Sequence, residues 1–243
     1  MASILIATPC YGKLIGEGYL HSLIASLDLV RSKGHEIKVY TLGNESLITR
    51  ARNNIVAYFL ASKHDRLMFI DADITWPANA LLELIDSDHD VCGIPYPTKL
   101  RDWDRVMAYA KKTFKESAEL DARRLIDSSL RFTLNLVNRQ DTPKKGWVEV
   151  SALGTGFFMI KRNVLERMKE HYKETLNYKN DIKGYHKIAP EEHCVGLFET
   201  MIDPDSRRYL SEDYAFCKRW MALNGKIYAN LNYRLTHSGT ADF

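Results

Sequence analysis

RLMFIDADITWP, residues 66–77, is the stretch on which the fold turns. Leu67–Ile70 has the apolar, β-rich character of a short buried strand. It runs straight into Asp71 and Asp73, one residue apart. Pro77 then opens a helix expected over residues 77–85, with proline tolerated in the first turn. A strand apolar at successive positions is covered on both faces, as in parallel sheets.

The pattern repeats outward from this point. Residues 4–8, 36–41 and 91–94 read as further strands. Residues 18–32 carry Leu20, Leu23, Ile24 and Leu27 at helical spacing, and residues 49–61 form a second helix. This alternation predicts an α/β fold, a mainly parallel central sheet flanked by helices. Crossovers should be right-handed. Ligands of such sheets bind beyond the carboxyl ends of the strands, which puts residues 9–12, 43–46 and 71–76 on one rim.

The second half reads as a smaller, antiparallel portion. Residues 103–127 are charged and helical with loops. Strands at 148–151 and 157–160 flank Leu153-Gly154-Thr155-Gly156. A helix capped by Asn163 covers 163–172. Residues 171–208 are polar and turn-rich, the expected mobile loop. A helix spans 211–223 with Ser211 as cap and Gly225 beyond its end. Strands at 227–229 and 233–236 follow. One domain is expected over 1–243, with a nucleotide-binding half (1–100) and an acceptor half (101–243).

The bulk numbers bound the function. The chain has 243 residues and a net charge of only +3, with its lysines and arginines scattered. That argues against a nucleic-acid partner, which would call for a basic stripe. No apolar run reaches the length of a membrane helix. The four cysteines form no CxxC pair, so they read as reduced thiols in a cytoplasmic compartment.

Asp71 and Asp73, at i and i+2 in extended chain, point the same way. Two adjacent carboxylates call for a cation. Mg²⁺ and Mn²⁺ take oxygen ligands and leave positions for substrate phosphates. The alternative is that the aspartates end a strand and cap a helix. A second DxD, Asp203 and Asp205 around Pro204, lies in polar sequence and reads as a turn.

ATPCYG on the first strand, ITRARN on the second helix, FIDADI, ALGTGFFMIKR, SEDYAFCKRW and a terminal THSG together resemble GT-A glycosyltransferases. The likeness is to the small viral and bacterial branch that includes chlorella-virus glycan-building enzymes. The RARN…DAD arrangement is also similar to Anp1-type fungal mannosyltransferases. The resemblance spans nearly the whole chain and is weakest over 103–145 and 172–208. It implies a nucleotide-diphosphate-sugar donor, with a UDP-sugar favoured, and Mn²⁺ (or Mg²⁺) as cofactor. It implies hexosyl or deoxyhexosyl transfer to a glycan or other hydroxyl acceptor, in host cytoplasm were the source viral.

The resemblance assigns Thr8, Pro9 and Tyr11 to the nucleotide, and Asp71, Ala72 and Asp73 to donor and metal. It sets the Gly154 and Gly156 loop beside the sugar, where a plain hairpin turn is an equal alternative. It also makes His237 a third metal ligand; the bland reading is a surface histidine. The residues add their own logic. Arg52 precedes Ile55, Val56 and Phe59 by three, four and seven positions, so it begins the buried stripe and needs an anion, either diphosphate or an aspartate. Arg50, about 200° away on the helix, faces solvent and is the second choice. Asp213 likewise begins the stripe of Phe216, Cys217 and Trp220. It is the first candidate for catalytic base, with Glu212 second, although acids there also complement a helix dipole. Trp76 reads as a sugar platform or as a hydrophobic staple. The competing functions are a sugar-1-phosphate nucleotidyltransferase and a nucleotide-sugar-binding module without turnover.

Overall fold

The computed structural model of the protein describes residues 1–116, 119–138, 140–181, 184 and 189–239. Its first half runs β1 (Ser3–Cys10), α1 (Glu17–Ser32), β2 (Glu36–Gly43), α2 (Ile48–Ala61), β3 (Arg66–Ile70), β4 (Ile74–Thr75), α3 (Ala78–Asp86) and β5 (Val91–Gly93). A hairpin of β6 (Pro97–Arg101) and β7 (Leu130–Phe132) brackets α4 (Trp103–Lys115) and α5 (Ala122–Ser128). Then come β8 (Leu134–Leu136), β9 (Trp147–Leu153), β10 (Phe157–Lys161), α6 (Arg162–Leu176), β11 (Met201–Ile202), β12 (Tyr209–Leu210), α7 (Glu212–Ala222), β13 (Ile227–Asn230) and β14 (Thr236–His237).

Eight strands form one mixed sheet in the order β2-β1-β3-β10-β5-β13-β9-β8. The pairs β1–β2, β1–β3 and β5–β13 are parallel. The pairs β3–β10, β10–β5, β13–β9 and β8–β9 are antiparallel. The α/β class stands, with the parallel part concentrated where the sequence alternates most regularly. The sheet as a whole is mixed because β10, from the second half of the chain, inserts antiparallel between two strands of the first, and β9 and β8 add further antiparallel pairs at the far edge.

Alternation along the strands builds two cores. Leu5 and Ala7, Leu67 and Phe69, and Phe158 and Ile160 face one side, where α2, α6 and α7 supply Ile55, Phe59, Leu165, Phe216 and Trp220. Ile4 and Ile6, Met68 and Ile70, and Phe157 and Met159 face the other, under Tyr19 and Val30 of α1 and Leu81 and Leu84 of α3. Successive side chains alternate faces, so burial on both sides demands the unbroken apolar runs seen in the sequence.

Three expectations change. The helix after β10 starts at Arg162 with Lys161 as its N-cap, not at Asn163. Arg162 fixes that junction by donating to the carbonyls of Phe59, Ser62 and His64. The expected mobile loop is mostly structured. α6 continues to Leu176, and Cys194, Val195, Leu197 and Phe198 are buried. The Asn53 side chain accepts from the Phe198 N–H at 2.8 Å, and Arg219 donates to the carbonyls of Leu197 and Glu199. Residues 182–183 and 185–188 of the expected loop lie outside the described residues. The last strand, expected at 233–236, is β14, which pairs with β4 away from the main sheet.

Candidate active site

A cleft of about 490 Å³ opens at the carboxyl ends of β1 and β3. Pro9, Tyr11, Asp71, Ala72, Asp73 and His237 line it, together with Leu14, Ile15, Gly16 and Ile48. Those last four are apolar or small and carry no motif, so nothing marks them in the sequence. Glycine at 16 permits a close approach: its N–H donates to the Ala72 carbonyl at 2.7 Å, and a Cβ there would sit 3.2 Å from that oxygen. Tyr11 stands 74% exposed at the mouth.

The pairing of two short, sequence-distant strands delivers His237. β14 lies antiparallel to β4, with His237 opposite Ile74, and the Ser238 N–H donates to the Asp73 carbonyl at 2.9 Å. His237 Nε2 then faces Asp73 Oδ1 at 3.4 Å. Its Nδ1 is 2.9 Å from the Pro97 carbonyl. A carbonyl only accepts, so Nδ1 carries the proton. That leaves Nε2 as the ring atom facing the Asp73 carboxylate, on the side where a shared cation would bind. Lys99, on β6, donates to the other Asp73 oxygen. Burial works to raise the Asp73 pKa. The bonds from His237 and Lys99 outweigh it and hold the carboxyl at about 2.

Asp71 looks inward from the same loop. Arg52 Nη2 donates to Oδ1 and Oδ2 at 3.0 and 3.2 Å, while Arg52 Nε donates to Glu212 Oε1 at 3.3 Å. The guanidinium is buried and lies over the Phe69 ring at 5.2 Å. Burial opposes its charge, but Asp71 and Glu212 overcome that and move its pKa upward. One guanidinium nitrogen, Nη1, has no hydrogen-bond partner among the described residues. Glu212 is raised by burial and by the like charge of Asp213, with Arg52 acting against both.

The Gly154-Thr155-Gly156 segment is no hairpin turn. β9 and β10 are separated in the sheet by β13 and β5, so the segment crosses over their ends. It passes against the aspartate loop. The Gly156 carbonyl accepts from the Asp71 N–H at 2.9 Å, and its N–H donates to the Tyr96 hydroxyl at 3.0 Å. A Cβ at Gly156 would meet Tyr96 Cζ at 2.7 Å and Asp71 Oδ2 at 2.9 Å. Tyr96, 6% exposed, also stands edge-on to His237.

Other candidates lie elsewhere. Thr8 is fully buried, its hydroxyl 2.6 Å from the Tyr19 hydroxyl, so its side chain packs the core. Arg50, expected to face solvent, is half-buried and donates twice to Glu45 outside the cleft. Trp76 is core: its backbone N–H donates to Ser22 and its indole N–H to Ser26, so no ring face is left for a sugar. Asp213 Oδ1 accepts from Ser211 and from the Tyr214 N–H at the start of α7, which is why Ser211 makes no side-chain cap bond to the helix. Of the two acids, Glu212 is the one joined to Asp71 through Arg52. It also precedes buried Ala215, Phe216 and Arg219 by three, four and seven positions, a spacing equivalent to the one that favoured Asp213. Asp203 sits in the β11–β12 turn, held by Ser206 and by Lys218, which also reaches Asp205.

Among the described residues, no group of three or more His, Cys, Asp or Glu side chains is arranged to hold a metal ion. The expected trio of Asp71, Asp73 and His237 is divided, because Arg52 occupies both oxygens of Asp71. Asp73 and His237 remain a fitting pair, with oxygen and nitrogen spaced as two ligands of one ion would be.

No family model matches the chain, and no curated protein matches it either. Solved structures do. One is A197 from STIV, with a TM-score of 0.50 and 16% identity over 98% of this chain and 86% of that one; at that identity the likeness is one of fold. GalNAc-T7, solved with UDP, GalNAc and Mn²⁺, gives a TM-score of 0.40 and 14% identity, covering 98% of this chain and 44% of that one. S. aureus TarS 1–349 gives 0.37 and 12%, covering 96% and 60%. The chain thus spans less than two thirds of those two.

Proposed function

We propose that this chain is a GT-A glycosyltransferase that moves a sugar from a nucleotide-diphosphate sugar, a UDP-sugar by preference, to a glycan or other hydroxyl acceptor. The observation that carries the reading is the aspartate pair on a cleft at the carboxyl ends of two parallel strands. One aspartate faces the cleft with a histidine. The other is locked to a buried arginine. Pro9, Tyr11, Ala72, Leu14 and Ile15 would take the nucleoside, and residues 101–243 most of the acceptor. We place the enzyme in the cytoplasm on its four free cysteines.

Asp73 and His237 would hold Mn²⁺ or Mg²⁺, with diphosphate and water completing the shell. The ion supplies charge stabilisation to a departing nucleoside diphosphate. Lys99 adds a second cation at the same carboxylate. Asp71 would act through Arg52, fixing the loop and the buried charge around Glu212. Glu212 and Asp213 are the acids proposed to serve the acceptor hydroxyl. Gly154 and Gly156 keep the wall thin beside the sugar.

Calorimetric titration with UDP, GDP, CDP, ADP and dTDP, with and without Mn²⁺, on the native protein and Asp73→Ala, tests this. One diphosphate should bind in a manner that requires Asp73. Absence of binding by every diphosphate would overturn the reading. Binding of a nucleotide-sugar with no release of diphosphate in the presence of candidate acceptors would mark a binding module.

A further inference from the structure

α4 is a helix part of whose apolar side faces water. Only Thr113 of its residues is buried. Trp103, Met107 and Phe114 are 68%, 55% and 67% exposed. With Ala110 they fall at i, i+4, i+7 and i+11, a strip about 60° wide on the helix surface. Val106, Tyr109 and Thr113, less exposed, continue the same arc on the inward side. The apolar arc is therefore wider than the protein covers, and its outer part is left to water. The patch continues onto α5: Trp103 and exposed Ile126 line one groove of about 280 Å³ with Val106 and Leu125.

Charge says what covers this face. Within α4 the basic residues are Arg105, Lys111, Lys112 and Lys115, and Asp104 is the only acid. Lys111 and Lys115 flank the strip on one side, where their stems can lie along it and their ammonium groups reach outward. An aromatic and methionine strip edged by lysines matches the chemistry of a helix lying in a bilayer interface, apolar side in the acyl boundary and cations among anionic headgroups. The helix is about 20 Å long, too short to cross a bilayer and sufficient to lie on one.

We propose that α4, with the edge of α5, docks this protein onto an anionic lipid surface. The consequence for the cleft is positional. Lys99, whose ammonium meets Asp73, is only four residues before Trp103 on the strand that leads into α4. Docking therefore holds the cleft within about 15 Å of the bilayer along the chain. The inference stands independently of which reaction the cleft performs.

The test is co-sedimentation and tryptophan emission with phosphatidylcholine vesicles, alone or containing about a third phosphatidylglycerol. The native protein should bind the anionic vesicles with a blue-shifted emission, bind the neutral ones at least roughly tenfold more weakly, and release at high salt. Trp103→Ala with Phe114→Ala, and separately Lys111→Glu with Lys115→Glu, should each cut binding by roughly tenfold or more while circular dichroism and the melting temperature stay native. These positions are exposed, so folding is not at risk. No binding by the native protein, or equal binding by both variants, overturns the proposal. So does concentration-dependent dimerisation that the Trp103 and Phe114 changes abolish, since a second copy would then be the occupant.

Discussion

Arg52 holds two carboxylates from a position almost without water, and that makes it the most consequential side chain at the site. Replacing it by methionine leaves Asp71 and Glu212 partly buried and unpaired. Breaking one side of a buried ion pair costs about 3–5 kcal/mol, so the unfolding free energy of Arg52→Met, read by urea titration, should fall by an amount of that order and its midpoint with it. Arg52→Lys should recover only part, because one ammonium cannot fork between Asp71 and Glu212. A native midpoint for the methionine variant would mean that the three groups are not coupled. Gly156→Ala makes a second case at this scale. Its new methyl has the buried Tyr96 ring on one side and the Asp71 carboxylate on the other. Overpacking of this kind costs about 1–3 kcal/mol, and diphosphate affinity should fall alongside the melting temperature. A variant with native affinity would show that the crossover loop has no bearing on the cleft. Position along the chain made Asp71, Asp73 and Arg52 legible, since each follows a strand end or starts an apolar stripe, whereas His237 entered only through the resemblance of its terminal THSG. Lys99 and Tyr96 were illegible, because nothing local ties β6, which begins at Pro97, or the residue before it to a strand that ends at Ile70.

Elements are decided by periodicity, and their neighbours are not. β1 and β3 could be read because continuous apolar runs require two covered faces, and the edge strand β2 because its β-branched residues alternate with polar ones. The place of β10 between β3 and β5 could not, since hydrophobic pattern is silent on pairing partner. The two-residue strands β4 and β14 span a single period of alternation, too little to show a pattern, yet they carry His237 to Asp73. α7 shows the opposite limit: its stripe is wide enough that both Glu212 and Asp213 can begin it, so spacing alone did not choose between them. The packing of α7 makes a sharp test. Phe216 is fully buried, stacked on Phe198 at 4.5 Å and edge-on to Phe158. Phe216→Ala should destabilise by about 3–5 kcal/mol in denaturant titration. It should also weaken diphosphate binding, because α7 carries Glu212 against Arg52. A loss below 1 kcal/mol, on the order expected of a surface change, would contradict this packing.

At the scale of the molecule, stability is distributed unevenly, and the distribution follows the site and the exposed helix. The centre of the sheet joins both halves of the chain, and its strands are buried on both faces. The region bracketed by β6 and β7 contributes little to either core: α5 has no buried residue and α4 has one. Local opening free energy falls where few apolar contacts hold a segment. Native-state hydrogen exchange should therefore show the amides of β1, β3 and β10 exchanging last, near the global unfolding limit. Those of α4 and α5 should exchange first, by several orders of magnitude. Acid adds a second axis. Asp73 has a folded-state pKa depressed to about 2, so its favourable contribution is complete above its unfolded value near 4 and is lost as the pH falls through about 2. The stability gap between the native protein and Asp73→Asn should hold from neutral pH down to about 4 and close toward pH 2. Exchange measured across the same range should then loosen β4 and β14 before the central strands, since Asp73 with Lys99 and His237 clasps that edge. Uniform exchange over the chain, or a gap that does not change with pH, would contradict the division of this fold into a rigid sheet and a lightly held cleft wall.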